Sequence, residues 1–181
     1  MISEFPIISA KVIMLGDPAT GKTSIIRRYS EGVFSEDYKI TIGTTFTIKR
    51  VQVDSKYVKL IIWDLGGQPH YGEVRKRYME GAKLAIVVFD VTSKISYNNV
   101  KNWIEGYKNI TPDGMVVIVG NKIDLLKERE VSVQETLRLR DSFGYPTLEV
   151  SAKTGENITT LFKIIATKIL ESYTKSKERL I

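Results

Sequence analysis

Eight consecutive residues, Gly16-Asp17-Pro18-Ala19-Thr20-Gly21-Lys22-Thr23, carry the densest chemistry in the chain. Their spacing fits G-x-x-x-x-G-K-[ST], where glycines let the backbone curl until successive N–H groups converge on a phosphate. A helix beginning near Ser24 would add the positive end of its dipole. Lys22 can reach the outer phosphates of a nucleoside triphosphate, and the Thr23 hydroxyl can ligate the accompanying Mg²⁺. Asp17, Pro18, Ala19, Thr20, Gly21 and Ser24 complete the expected cradle.

Two further groups follow in order. In Trp63-Asp64-Leu65-Gly66-Gly67-Gln68, Asp64 is placed to act on the same cation, Gly67 to offer an unobstructed N–H to a γ-phosphate, and Gln68 to orient an attacking water. In Asn121-Lys122-Ile123-Asp124 with Ser151-Ala152-Lys153, the Asp124 carboxylate can accept both N1–H and the 2-amino group of guanine; adenine has neither donor. Ala152 can give its N–H to the guanine O6. Asn121 would tie the loops together, and the stem of Lys122 would cover a face of the base.

Each group needs a strand to present it. Apolar runs at Lys11–Gly16, Leu60–Trp63, Leu84–Val91, Met115–Gly120 and Thr147–Val150 lack polar alternation, which suits parallel strands covered on both faces. Phe46–Val53, the turn Asp54-Ser55-Lys56 and Tyr57–Trp63 read instead as a hairpin. Helices are predicted from Ser24, over Ser96–Ile110, and along the stripe from Ile158 to Tyr173. Together these predict a doubly wound α/β domain with its ligand site beyond the carboxyl ends of the parallel strands. With 181 residues and no internal repeat or linker, one domain is expected over 1–181, with a short arm over 1–10 and a basic tail over 174–181.

Composition narrows the function. The net charge is +6 and cysteine is absent, which excludes disulfides, thiolate zinc sites and a cysteine nucleophile. The basic residues are dispersed, so no nucleic-acid partner is expected. The sequence shows no membrane-spanning run and no secretory signal, so a cytoplasmic protein is expected. The single histidine, His70, has no companion ligands and reads as a solvated loop residue.

The four motifs GDPATGKT, Thr41 within Tyr-Lys-Ile-Thr-Ile-Gly, WDLGGQ, and NKID with SAK resemble those of the small Ras-like GTPases, from about Lys11 to Tyr173. The resemblance implies a P-loop NTPase G domain: a mostly parallel central sheet with one antiparallel hairpin strand and helices on both faces. It also implies that Phe34 stacks near the guanine, that Tyr38 closes over the phosphates, and that Thr41 ligates Mg²⁺ only when the γ-phosphate is present. Phe46, Trp63 and Tyr78 match an aromatic triad of the Rab branch, whereas Leu65-Gly66-Gly67-Gln68 resembles the Arf branch. These aromatics either recognise an effector or simply pack.

On this reading the protein is a monomeric switch that binds GTP or GDP with Mg²⁺ and hydrolyses GTP, with Lys22, Thr41 and Gln68 as the catalytic residues. Effectors, exchange factors and activating proteins would engage Tyr38–Phe46 and Trp63–Tyr78. Arg27 and Arg28 are expected to face away from the phosphates, so unaided turnover is slow, ~10⁻⁴–10⁻² s⁻¹ by analogy with related switches. Two departures favour an alternative, a nucleotide-binding scaffold with little hydrolysis: Pro18 removes an N–H beside the γ-phosphate, and Pro69 biases the backbone of Gln68. No lipid anchor is evident, and the basic tail would give at most weak peripheral membrane contact.

Overall fold

The computed structural model describes residues 8–35, 41, 43–65 and 72–178. Six strands form one sheet: β1 (Ile8–Leu15), β2 (Thr44–Val53), β3 (Lys56–Leu65), β4 (Leu84–Asp90), β5 (Met115–Asn121) and β6 (Thr147–Glu149), in the order β2-β3-β1-β4-β5-β6. Only the β2–β3 pair is antiparallel. Helices α1 (Lys22–Glu31), α2 (Gly72–Met79), α3 (Lys94–Asn98), α4 (Val100–Ile110), α5 (Val133–Phe143) and α6 (Ile158–Glu178) complete the chain. This is the expected α/β architecture.

Strand β4 shows why the sheet is covered on both sides. All seven of its residues are buried. Leu84, Ile86 and Val88 join a core with Ile25 of α1 and Leu161, Phe162 and Ile165 of α6, while Ala85, Val87 and Phe89 join a second core with Ile104 and Tyr107 of α4. Alternate side chains on a strand point to opposite faces, so a continuous apolar run requires helices on both. Each fully buried Leu, Ile, Val or Phe contributes about 1.5–3 kcal/mol relative to exposure.

Several boundaries differ from the sequence expectation. β1 takes Ile8–Ala10, which the sequence reading assigned to an N-terminal arm, because these residues pair with Val58–Leu60 of β3. α6 runs to Glu178, through most of the predicted tail. The helix expected over Ser96–Ile110 is two: the Ser93 hydroxyl caps α3 by accepting from Ser96 N, and a break at Asn99 precedes α4. α5 was not anticipated, although its start carries a readable signal. Ser132 and Glu135 form a reciprocal capping box, and Gly144 ends the helix with φ 69°.

The short strand β6 is anchored by ionic contacts as well as by pairing with β5. Arg129 donates to both Glu149 carboxylate oxygens, at 3.0 and 2.7 Å, and Thr136 Oγ1 donates to Glu149 Oε1 at 2.7 Å. Burial pushes the Glu149 carboxyl up, but the bonds from Arg129 and Thr136 outweigh it and hold the group below its ordinary 4.5. A depressed folded-state pKa gives stability that is complete above the unfolded value and is lost as pH falls through the folded one. Glu149→Gln should therefore lower unfolding free energy by about 2 kcal/mol at pH 7. In thermal melts, the gap between the two proteins should narrow as pH falls below 4.5.

Candidate functional site

All five parallel strands end at one edge of the sheet, and the sheet order reverses around β1. The motifs therefore converge. Gly16 follows β1, Asp64 lies near the end of β3, Asp90 ends β4, Asn121 ends β5, and Ser151 lies just beyond β6. Such a switch point is where open α/β sheets hold ligands.

The loop after β1 is shaped by two glycines. Gly16 has φ 135°, and a Cβ there would lie 2.1 Å from the Val88 carbonyl oxygen; Gly21 has φ 90°, and a Cβ there would lie 2.2 Å from Asn121 Nδ2. Ala19 also adopts a left-handed conformation, and Pro18 and Ala19 are exposed. Lys22 is 6% exposed, and its ammonium folds back over the loop to donate to the carbonyls of Gly16 at 2.8 Å and Asp17 at 2.7 Å. Thr20 Oγ1 donates to the Asp17 carbonyl. The loop is thus closed around the Lys22 ammonium. Ser24 stands in the first turn of α1 behind it.

The Asp17 carboxylate accepts from Asn99 Nδ2 and Trp103 Nε1, both at 2.7 Å, so the side chain ties the loop to α4. Neither Asn99 nor Trp103 was a sequence candidate. Trp103 read simply as one member of an apolar helical stripe.

Beside Lys22 lies a cluster of oxygens. Thr23 Oγ1 donates to Asp64 Oδ2 at 2.5 Å and lies 2.7 Å from Thr41 Oγ1. Because the Thr23 proton is committed to the carboxylate, Thr41 is the donor in the second bond. Asp64 is 3% exposed, and its Oδ1 is the only buried side-chain polar atom without a hydrogen-bond partner among the described residues. Burial pushes the carboxyl up, opposed by the Thr23 bond and the Lys22 charge. One carboxylate and two hydroxyls form a hard-oxygen set that fits Mg²⁺, which is held by few protein oxygens together with phosphates and water.

The base-side loops are locked to this cradle. Asn121, 1% exposed, donates from Nδ2 to the Thr20 carbonyl at 2.9 Å and accepts on Oδ1 from Ala152 N at 3.1 Å. It ties the loops as expected. The Ala152 N–H, assigned to a guanine O6 from sequence, here has Asn121 as acceptor. Ser151 Oγ donates to Asp124 Oδ1 at 2.5 Å. Lys122 has φ 71° and its ammonium pairs with Asp90. Phe34 is half-buried against the core that contains α1 and α6.

The Arg28 guanidinium donates to the carbonyls of Ala152 and Lys153 and to that of Gly32. Tyr38, Gly67, Gln68, Pro69 and His70 lie outside the described residues. Phe46, 58% exposed, has its ring centroid 5.4 Å from that of Trp63, which lies 5.4 Å from Tyr78. The three rings form a contiguous cluster beside the β3 end, with Phe46 exposed and Trp63 and Tyr78 partly buried against the second core.

The Ras family profile matches residues 11–171. The chain is 37% identical over 166 residues to Ras-related protein Rab-21 of Geodia cydonium, covering 91% of this chain and 72% of that protein. It is 36% identical over 162 residues to GTP-binding protein yptV2 of Volvox carteri, covering 88% and 75%. Ras-related protein Rab-1 of Theileria parva is 36% identical over 167 residues, covering 91% and 76%. With the phosphate cradle, the oxygen cluster and the base loops assembled on this sheet, the chain belongs to the Ras family and is a small GTPase of its Rab branch.

Proposed function

We propose that this GTPase is a Mg²⁺-dependent switch that holds GTP or GDP in the cradle at Asp17–Ser24 and reads the guanine through Asp124, Ser151, Ala152 and Lys153, with Asn121 and Lys122 shaping the pocket. The observation that carries the reading is the unpartnered, buried Oδ1 of Asp64 beside the paired hydroxyls of Thr23 and Thr41. A buried carboxylate oxygen with nothing to accept is costly unless a cation or its water completes it. Mg²⁺, when bound, would neutralise charge between the outer phosphates. Asp64 and Thr23 would hold it in both nucleotide states, and Thr41 would join only with GTP.

The protein's own groups do the rest. Lys22 releases the carbonyls of Gly16 and Asp17 to donate to phosphate oxygens, and α1 presents its N-terminal dipole end. Gly67 donates to the γ-phosphate and Gln68 orients the attacking water. Loss of the γ-phosphate frees Thr41 and Gly67, so the surfaces at Tyr38–Phe46 and Trp63–Tyr78 change with nucleotide state. Effectors and regulators would read those surfaces, with the Phe46–Trp63–Tyr78 rings as the apolar part of the contact. Rab-branch membership supports a role in membrane traffic. No helix among the described residues is long and apolar enough to cross a membrane. Such traffic work would be done from the cytoplasm at a membrane surface.

Thr41→Ala tests the switch. It should weaken Mg²⁺-GTP binding by about tenfold while leaving Mg²⁺-GDP binding within about twofold, read by competition titration. Equal losses would make Thr41 structural. Gln68→Leu should keep GTP affinity and slow single-turnover phosphate release by at least about tenfold. Unchanged release would favour the scaffold alternative, in which Pro18 and Pro69 have already displaced the catalytic geometry.

A further inference from the structure

Arg28 forms a set of three hydrogen bonds near the site that the proposed mechanism leaves unused. It projects from α1 across to the loop after β6. Nε donates to the Ala152 carbonyl at 2.7 Å, Nη2 donates to the Lys153 carbonyl, and Nη1 donates to the Gly32 carbonyl at 2.8 Å. One planar fork therefore fixes two successive peptides of the base loop and the C-cap of α1.

The other side of the same loop faces the base residues. In a trans peptide the C=O and N–H point in opposite directions, so a carbonyl held on Arg28 aims the following N–H the other way. The Lys153–Thr154 peptide shows this directly. Its carbonyl is held by Arg28, and its N–H donates to Ser151 Oγ at 3.0 Å, which in turn donates to Asp124 Oδ1. The preceding peptide, with the Ala152 carbonyl on Arg28, aims the Lys153 N–H away from the guanidinium by the same rule. Ala152 N is set from the opposite side by Asn121.

We infer that Arg28 is a positioning residue for base recognition: it grips the outer carbonyls of the Ala152–Lys153 turn and so fixes the turn whose inner side meets the 6-oxo group of guanine. The inference rests on the guanine reading of Asp124 and Ala152. It acts at the edge of the base that carries O6, whereas Asp124 acts at N1 and the 2-amino group. These edges can be probed separately. 6-Thio-GDP replaces O6 with a poorly accepting sulfur and keeps both Asp124 contacts; IDP lacks only the 2-amino group.

Binding of GDP, 6-thio-GDP and IDP is measured for the unmodified protein, Arg28→Met and Arg28→Lys, with far-UV circular dichroism confirming the fold. Unmodified protein should prefer GDP over both analogues. In the Arg28 variants the GDP preference over 6-thio-GDP should shrink by about fivefold, while the preference over IDP stays unchanged. Arg28→Lys keeps the charge and much of the stem, and it carries the test if Arg28→Met does not fold. Both preferences unchanged, or both falling in parallel, would overturn the positioning role. No preference for GDP in the unmodified protein would instead overturn the base reading on which the inference stands.

Discussion

The site depends on the side chain of Asn121. Its amide bridges the phosphate loop, through the Thr20 carbonyl, and the base loop, through the Ala152 N–H. Both bonds are buried, where leaving either partner unsatisfied costs about 1–3 kcal/mol. The amide also limits its neighbour. Any side chain at Gly21 would meet Asn121 Nδ2 at 2.2 Å, so a residue type in the first motif is dictated by a residue a hundred positions later. The two loops are thereby one construction rather than two adjacent ones.

The sheet supplies the common edge on which that construction stands. Parallel strands buried on both faces must all run to the same end, and the motifs stand at or beyond those ends. The oxygen cluster proposed to hold Mg²⁺ is built differently, from a hydroxyl on α1, a carboxylate of β3 and a hydroxyl at Thr41. Residues from separate segments meet there, which is what a sensor of nucleotide state requires. Arg28 extends the same principle outward, joining α1 to the turn after β6.

Much of this is legible in the sequence. Buried strands announce themselves as unbroken apolar runs, and Gly16, Gly21, Lys22, Thr23, Asp64, Asn121 and Asp124 sit in short motifs whose spacing carries their chemistry. What escaped were contacts between residues distant in sequence. Asn99 and Trp103 hold the Asp17 carboxylate from more than eighty residues away. Arg28 reaches carbonyls more than one hundred and twenty residues downstream, and a helical position alone does not say which way a long side chain turns. The break at Asn99 was hidden because the apolar stripe continues across it, whereas the capping box at Ser132 and Glu135 was present in the sequence and could have located α5.

The central claim is that the assembled edge holds a guanine nucleotide. It is tested most directly by purifying the unmodified protein in Mg²⁺ buffer, releasing its bound small molecules by denaturation, and identifying them by mass spectrometry. The account predicts GDP or GTP in near-stoichiometric amount and adenine nucleotides at trace level. An adenine nucleotide as the principal ligand, or protein that carries none and takes up ATP as readily as GTP, would contradict it.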